Sequence, residues 1–347
     1  MARKPSKKAP VKAKTPAKTK SPAKPERKKL HHSFKRSYRE DYLRPFEGPG
    51  LLSHAVHTFK VVFKNWKLFL PLLIIIALFN ILLVGLMSED TYTTFQRSLD
   101  ETTASFGSGK ELGTFARSGL LLISTITTGG LSQGMTEVQQ VFAVLLFLIT
   151  WLVVIYIIRH TLAKQKIKLR DALYNALSPL ISTLVVFAVI VIEAVPAMIV
   201  IITYSAAVQT NFLATPFYAL IYFIFAALML LLSIYLISSS LVALVAVSAP
   251  GLYPFVALST AADLLAGRRV KFIIRLLYLV FVIAIMWVVV MLPLIALDLW
   301  LKSFLTGLAG IPFVSIELLL MTIFTAIYST AYIYLYYRRM LDYEEDK

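Results

Sequence analysis

The chain has 347 residues, 58% of them hydrophobic and 16% charged, with 35 Lys/Arg against 19 Asp/Glu for a formal net charge of +16. That apolar share exceeds the roughly 45–50% of a soluble domain and places the chain in a bilayer. The absence of cysteine excludes disulfides, thiolate metal sites and cysteine nucleophiles.

Residues 1–46 read as a disordered basic tail. Sixteen Lys/Arg against four acids (Glu26, Glu40, Asp41, Glu47) give residues 1–50 a net of +12. Five prolines fall in the first thirty positions and no aromatic precedes Phe34, so nothing there can build a core. "KTPAKTKSPAKPERKKLHH" (residues 14–32) suits two polyanions. Anionic lipid headgroups offer about 1 kcal/mol per basic residue held near the surface. Nucleic acid would be bound sequence-blind and with steep salt dependence, and there is no aromatic to stack on its bases. The expectation is therefore an arm on anionic headgroups. The alternative is a tether for nucleic acid or the ribosome through residues 1–46. "EGPG" (Glu47 to Gly50) closes the tail as a turn.

Six apolar runs long enough to cross a hydrocarbon core of about 30 Å follow, at about 68–87, 141–158, 180–202, 217–240, 276–297 and 312–334. The first starts too late and runs too long for a signal peptide. The predicted fold is all-α: a six-span membrane domain over 47–342 and a short acidic C-terminus, 343–347. The fourth run stays apolar to Val247, so that helix is expected to tilt or to bury its end. The tail, the loop with Arg159, Lys164, Lys166, Lys168 and Arg170, the loop with Arg268, Arg269 and Lys271, and the final Arg338 and Arg339 alternate with poorly basic loops. By the positive-inside rule they are cytoplasmic, with both termini. Residues 88–140, with three basic and six acidic residues, are expected outside.

Before the first span, "AVHTFKVVFKNWKLFL" sets Val56, Phe59, Phe63 and Trp66 at helical spacing and Lys60, Lys64 and Lys67 on another face. This predicts an interfacial helix whose lysines meet headgroups. "KIKLRDALYNALSPL" and "FVALSTAADLLAGRRVKFIIRLL" repeat the device before the third and fifth spans, giving three units, each an interfacial helix, a break and a helical hairpin. At "ALSTAADLLAGRRVKFIIRLLYLVFV" (Ala257 to Val282) and "IYSTAYIYLYYRRM" (Ile327 to Met340) the chain resembles the membrane domain of glycerophosphoryl diester phosphodiesterases and related six-span bacterial inner-membrane proteins. The likeness spans residues 50–342. It implies a bacterial inner-membrane protein but not the phosphodiesterase activity. That activity belongs to a separate soluble barrel of about 250 residues, for which no segment outside the spans is long enough.

Candidate chemistry is sparse. His31, His32, His54, His57 and His160 form no metal motif, and His54 and His57 are expected on the solvated side of a surface helix. "TTGGLSQGMT" (Thr127 to Thr136) lacks the Lys-Ser/Thr of a phosphate loop. Ser238 to Ser240 either line a pathway or bond back to their own helix. Charges inside spans are more informative, since a desolvated carboxylate is costly. Glu193 lies about 20 Å above the cytoplasmic edge at 1.5 Å per residue. Glu317 starts the sixth span and Asp298 ends the fifth. All three are placed in the outer half, with Pro196 and Pro293 predicting kinks nearby. No catalytic set, cofactor motif or metal motif appears. The expected role is a non-catalytic envelope component of the cytoplasmic membrane. The alternative is a transporter or channel using Glu193, Glu317 and Asp298 as a substrate or ion site.

Overall fold

A computed structural model describes residues 49–84, 136–210, 212–249, 251–304 and 313–345. The basic tail, the glycine-containing stretch 127–135 and most of the first loop lie outside the described residues. Every described element is helical. α1 (Leu51–Lys64) breaks at Asn65, whose side-chain amide donates to the Val61 carbonyl (2.7 Å), and α2 (Trp66–Leu83) follows at once. α3 (Glu137–Leu162) opens with a capping box in which Thr136 and Gln139 satisfy each other's backbone N–H groups. It closes with Gln165 N–H on the His160 carbonyl and Lys164 N–H on the Thr161 carbonyl, both 3.0 Å, and Lys164 in the left-handed region at φ 56°.

α4 (Leu169–Ala176), α5 (Leu180–Glu193), α6 (Val195–Gln209), a 3₁₀ turn (Phe212–Ala214) and α7 (Pro216–Ala246) come next. α8 (Pro254–Leu265) ends at Gly267, whose φ of 75° lets Arg268 N–H close on the Leu265 carbonyl (2.9 Å). The chain then enters α9 (Arg269–Phe304) and finally α10 (Phe313–Glu345).

Five stretches are long and apolar enough to cross a bilayer: Trp66–Leu83, Glu137–Leu162, Pro216–Ala246, Arg269–Met291 and Ile316–Asp342. α4 and α5, bent by 64° at their break, make a sixth if they count as one span. The chain is therefore an all-helical, multi-pass membrane protein. The predicted third span is not one helix. Pro196 has no N–H to give the Ile192 carbonyl, so α5 stops at Glu193 and α6 restarts at Val195, where proline fits the first turn.

α3 and α10 form the centre. Trp151 to Ile155, Ile157 and Ile158 are buried around the whole circumference of α3, as are Ala331 to Tyr336 on α10. α7 and α9 stand at the periphery: Phe217, Leu220, Ile224, Leu228, Leu231 and Tyr235 recur at helical spacing and are all exposed. An apolar stripe that long suits lipid rather than water. The far end of α7 differs, because Val242 to Val247 are buried against the rest of the bundle. The surplus apolar length of the fourth run is packed inside the protein.

Candidate functional site

The Glu193 side chain stands at the α5–α6 break and is fastened by α7. Ser240 Oγ donates to Glu193 Oε1 (2.8 Å), and Ser233 Oγ donates to the Glu193 carbonyl (2.7 Å). Oε2 is buried with no hydrogen-bond partner among the described residues. Arg269 acts on the carboxylate through space, and its guanidinium lies 4.2 Å from the Tyr235 ring centroid. The serine triplet divides: Ser238 and Ser239 bond back to the Tyr235 and Leu236 carbonyls (2.7 and 2.9 Å), and only Ser240 crosses to another helix.

Glu193 and Glu317 do not meet. The Glu193 carboxylate is drawn to the level of Ser240 and Arg269, the end where α9 begins. Glu317 precedes Leu318, which packs with Trp287 and Met291 much further along α9. Counting residues from Leu180 puts Glu193 in the outer half, whereas its side chain contacts Ser240 and lies in the field of Arg269 at the start of α9. A helical side chain leans toward the helix N-terminus, so the carboxylate sits nearer the α9 start than its Cα. Glu317 Oε1 is buried with no hydrogen-bond partner among the described residues. Asp298 lies on α9, and its side chain is outside the described residues.

A second polar cluster, absent from the sequence reading, holds α1. His54 is wholly buried instead of solvated. Its Nε2 lies 3.1 Å from the Tyr332 carbonyl and donates to it, leaving Nδ1 buried and bare. Its ring meets those of Tyr332 and Tyr336 edge-on, at 4.4 and 5.8 Å between centroids. Arg275, only 8% exposed, donates to the Pro49 carbonyl (2.6 Å) and lies 4.5 Å from the Tyr336 ring centroid. Tyr328 Oη adds a bond to the Ala55 carbonyl (3.3 Å). Burial is the main cause pushing the His54 imidazole down from 6.5 to about 4; the Tyr332 carbonyl opposes it, while Arg339, Arg275 and His57 push the same way. His57, half-buried, is also lowered, first by burial and then by Arg339 and Lys60. The one hint of Arg275 in the sequence is its position, a single arginine at the threshold of the fifth apolar run.

α1 thus presents two stripes. His54, Ala55, Thr58 and Val62 face the bundle, and Leu52, Val56 and Phe63 are exposed, as is Trp66 at the start of α2. Lys60, Lys64, Lys67 and Lys271 are exposed, while Arg268, Arg269 and Arg339 are half-buried. Arg338, exposed, pairs with Asp342 one turn on (3.1 Å). No group of three or more His, Cys, Asp or Glu side chains is placed to hold a metal ion among the described residues. Comparison with protein-family models, with curated proteins and with solved structures finds no match for this chain.

Proposed function

We propose that the chain is a non-catalytic, six-span component of the cytoplasmic membrane, with both termini and its basic helix ends cytoplasmic and held on anionic phospholipid headgroups. The observation that carries this reading is the docking of α1. The Arg275–Pro49 and His54–Tyr332 bonds hold the start of α1 level with Arg275 on α9 and Tyr332 on α10, each about two turns from the arginines at 268–269 and 338–339. Arg268, Arg269, Lys271, Arg338 and Arg339 then fall at one end of the bundle, with Lys60 and Lys64 on the docked helix and Lys67 at the start of α2. Each basic residue near an anionic surface contributes about 1 kcal/mol to its attachment. α1, α4 and α8 act in this reading as interfacial helices ahead of α2, α5 and α9. The likeness to the glycerophosphodiesterase membrane domain belongs to the same proposal and brings no hydrolytic activity.

The bare Oε2 of Glu193 favours one further reading, in which that acid serves an ion or solute path. The Ser240 bond supports a structural tie instead, since polar contacts between membrane helices contribute on average about 0.6 kcal/mol. Glu193→Gln keeps a carbonyl acceptor for Ser240, and Glu193→Leu removes a desolvated acid. On the structural reading both variants insert, Glu193→Gln melts within about 1 °C of wild type, and Glu193→Leu melts at the same temperature or higher. Thermal melting of the detergent-purified proteins, paired with ion flux across proteoliposomes, checks this. A wild-type flux that Glu193→Gln abolishes would overturn the non-transporting reading.

A further inference from the structure

Where the C-terminal end of α3, the α4–α5 break and the residues just past α7 converge, a cleft of about 270 Å³ opens. Its floor is apolar, formed by Leu152, Ile155 and Ala176, and its rim is polar, formed by Arg159, Asn175, Ser178 and Ser248. None of these rim residues belongs to the Glu193 cluster or to the α1 anchor.

The rim is poised to receive an anion. Arg159 has no carboxylate within salt-bridge distance among the described residues; its guanidinium carbon lies 5.7 Å from the Tyr156 ring centroid, and Tyr334 lies within its field. The side chains of Asn175 and Ser178 make no hydrogen bond to described protein groups. Ser248 Oγ donates to the Val245 carbonyl (2.6 Å) and keeps its lone pairs. The rim therefore offers a planar five-donor guanidinium, a carboxamide and a hydroxyl, with no acid among the residues that line the cleft. A guanidinium recognises carboxylate or phosphate oxygens two at a time. Along α3 the lining passes from Leu152 to Arg159 in two turns, about 10 Å. A gradient from apolar floor to cationic rim over that length matches an amphiphile with an anionic head.

We infer that this cleft binds a phosphate group carried by Arg159 with Asn175 and Ser178, the phosphate being that of an anionic phospholipid headgroup or a free phosphate ester. The headgroup form rests on the proposed function, which puts this end of the bundle at the lipid headgroup level. The apolar floor has work to do only for a ligand with a lipid body. Surface lysines such as Lys60 and Lys64 attract any anionic membrane, whereas the cleft is a site for one molecule.

Native mass spectrometry of the full chain in detergent tests this, titrated separately with phosphatidylglycerol, glycerol phosphate and diacylglycerol. Phosphatidylglycerol should add one tightly held molecule, and diacylglycerol, which lacks the phosphate, should not. Arg159→Gln should weaken that binding about tenfold, the step expected for loss of one charge-assisted contact. Arg159→Lys should restore part of it, and the combined Asn175→Ala, Ser178→Ala variant should weaken it with the guanidinium intact. The ligand-free melting temperature of each variant reports whether it folds. Equal binding of glycerol phosphate and phosphatidylglycerol would support the phosphate site and assign it to free phosphate esters. Wild-type binding of phosphatidylglycerol by a folded Arg159→Gln would overturn the cleft, as would equal uptake of diacylglycerol. Orientation in the membrane does not enter these measurements, so a reversed topology would sink the proposed function and leave the cleft standing.

Discussion

Replacing Arg275 by alanine should release α1 from the bundle and lower the unfolding free energy by about 3 kcal/mol. Two losses add. The Pro49 carbonyl loses a charged donor at 2.6 Å, a bond class worth roughly 1.5–3 kcal/mol, and the Tyr336 ring loses a desolvated cation, worth roughly 0.5–2 kcal/mol. Arg275→Met, which keeps the apolar stem length without the charge, should lose less, because buried charges are often replaced by apolar groups at small cost. Lys271→Ala, at an exposed position four residues earlier, should change stability by less than about 0.5 kcal/mol. Melting in detergent measures the difference, and limited proteolysis around Lys60 and Lys64 locates it. An Arg275→Ala protein whose α1 is as protected as wild type would refute the anchor.

Acid should undock the same helix. His54 is held neutral, with its affinity for a proton lowered from 6.5 to about 4, so the folded state binds fewer protons than the unfolded chain across that window. The stability it contributes is intact above about pH 6.5 and drains away as pH falls toward 4, in total about 3 kcal/mol for a lowering of that size. The groups facing it from each packed element are Arg275 on α9, Tyr332, Tyr336 and Arg339 on α10, and His57 on α1 itself. None is a carboxylate that could shelter an imidazolium. Hydrogen exchange of the α1 amides should therefore quicken between pH 6.5 and 4, while the amides of α3 stay slow. His54→Leu should flatten most of that dependence, leaving the smaller part due to His57. An unchanged acid slope in His54→Leu would remove His54 as its source. Because Arg275 contributes to the lowering, Arg275→Ala and acid should not act additively.

Apolar length made the crossings legible. α2, α3, α7 and α10 fall within a few residues of the runs read at 68–87, 141–158, 217–240 and 312–334, apart from the extra turns of α10 past Tyr334. Long apolar runs have few alternatives in lipid, where a backbone must satisfy itself as helix. The third run failed as one helix because a single Pro196 outweighs twenty apolar neighbours locally. On α1 the expectation that failed is the solvated His54. In water an apolar stripe marks the protein-facing side, but at a bilayer the lipid takes that stripe, and the bundle instead took His54, Ala55, Thr58 and Val62.

The site residues were legible only as unusual positions. Glu193 stands out in sequence as an acid inside a span. Its partner Ser240 lies 47 residues away, and nothing in local spacing pairs them. Arg275 lies 226 residues from the Pro49 carbonyl it holds. Likewise Arg159, Asn175, Ser178 and Ser248 come from three separate stretches that converge only once α3, α4 and the end of α7 pack.

The proposed function requires that the basic tail and the basic helix ends share the cytoplasmic face of the membrane. The chain has no cysteine, so a single introduced thiol is the sole target of a maleimide reagent. Cysteines replacing Ser33 and Ser178 in intact cells should react with a membrane-permeant maleimide and resist an impermeant one, and a cysteine replacing Ser108 should react with both. An impermeant reagent that labels Ser33→Cys and Ser178→Cys from outside, with Ser108→Cys reacting only after the cells are opened, would contradict it.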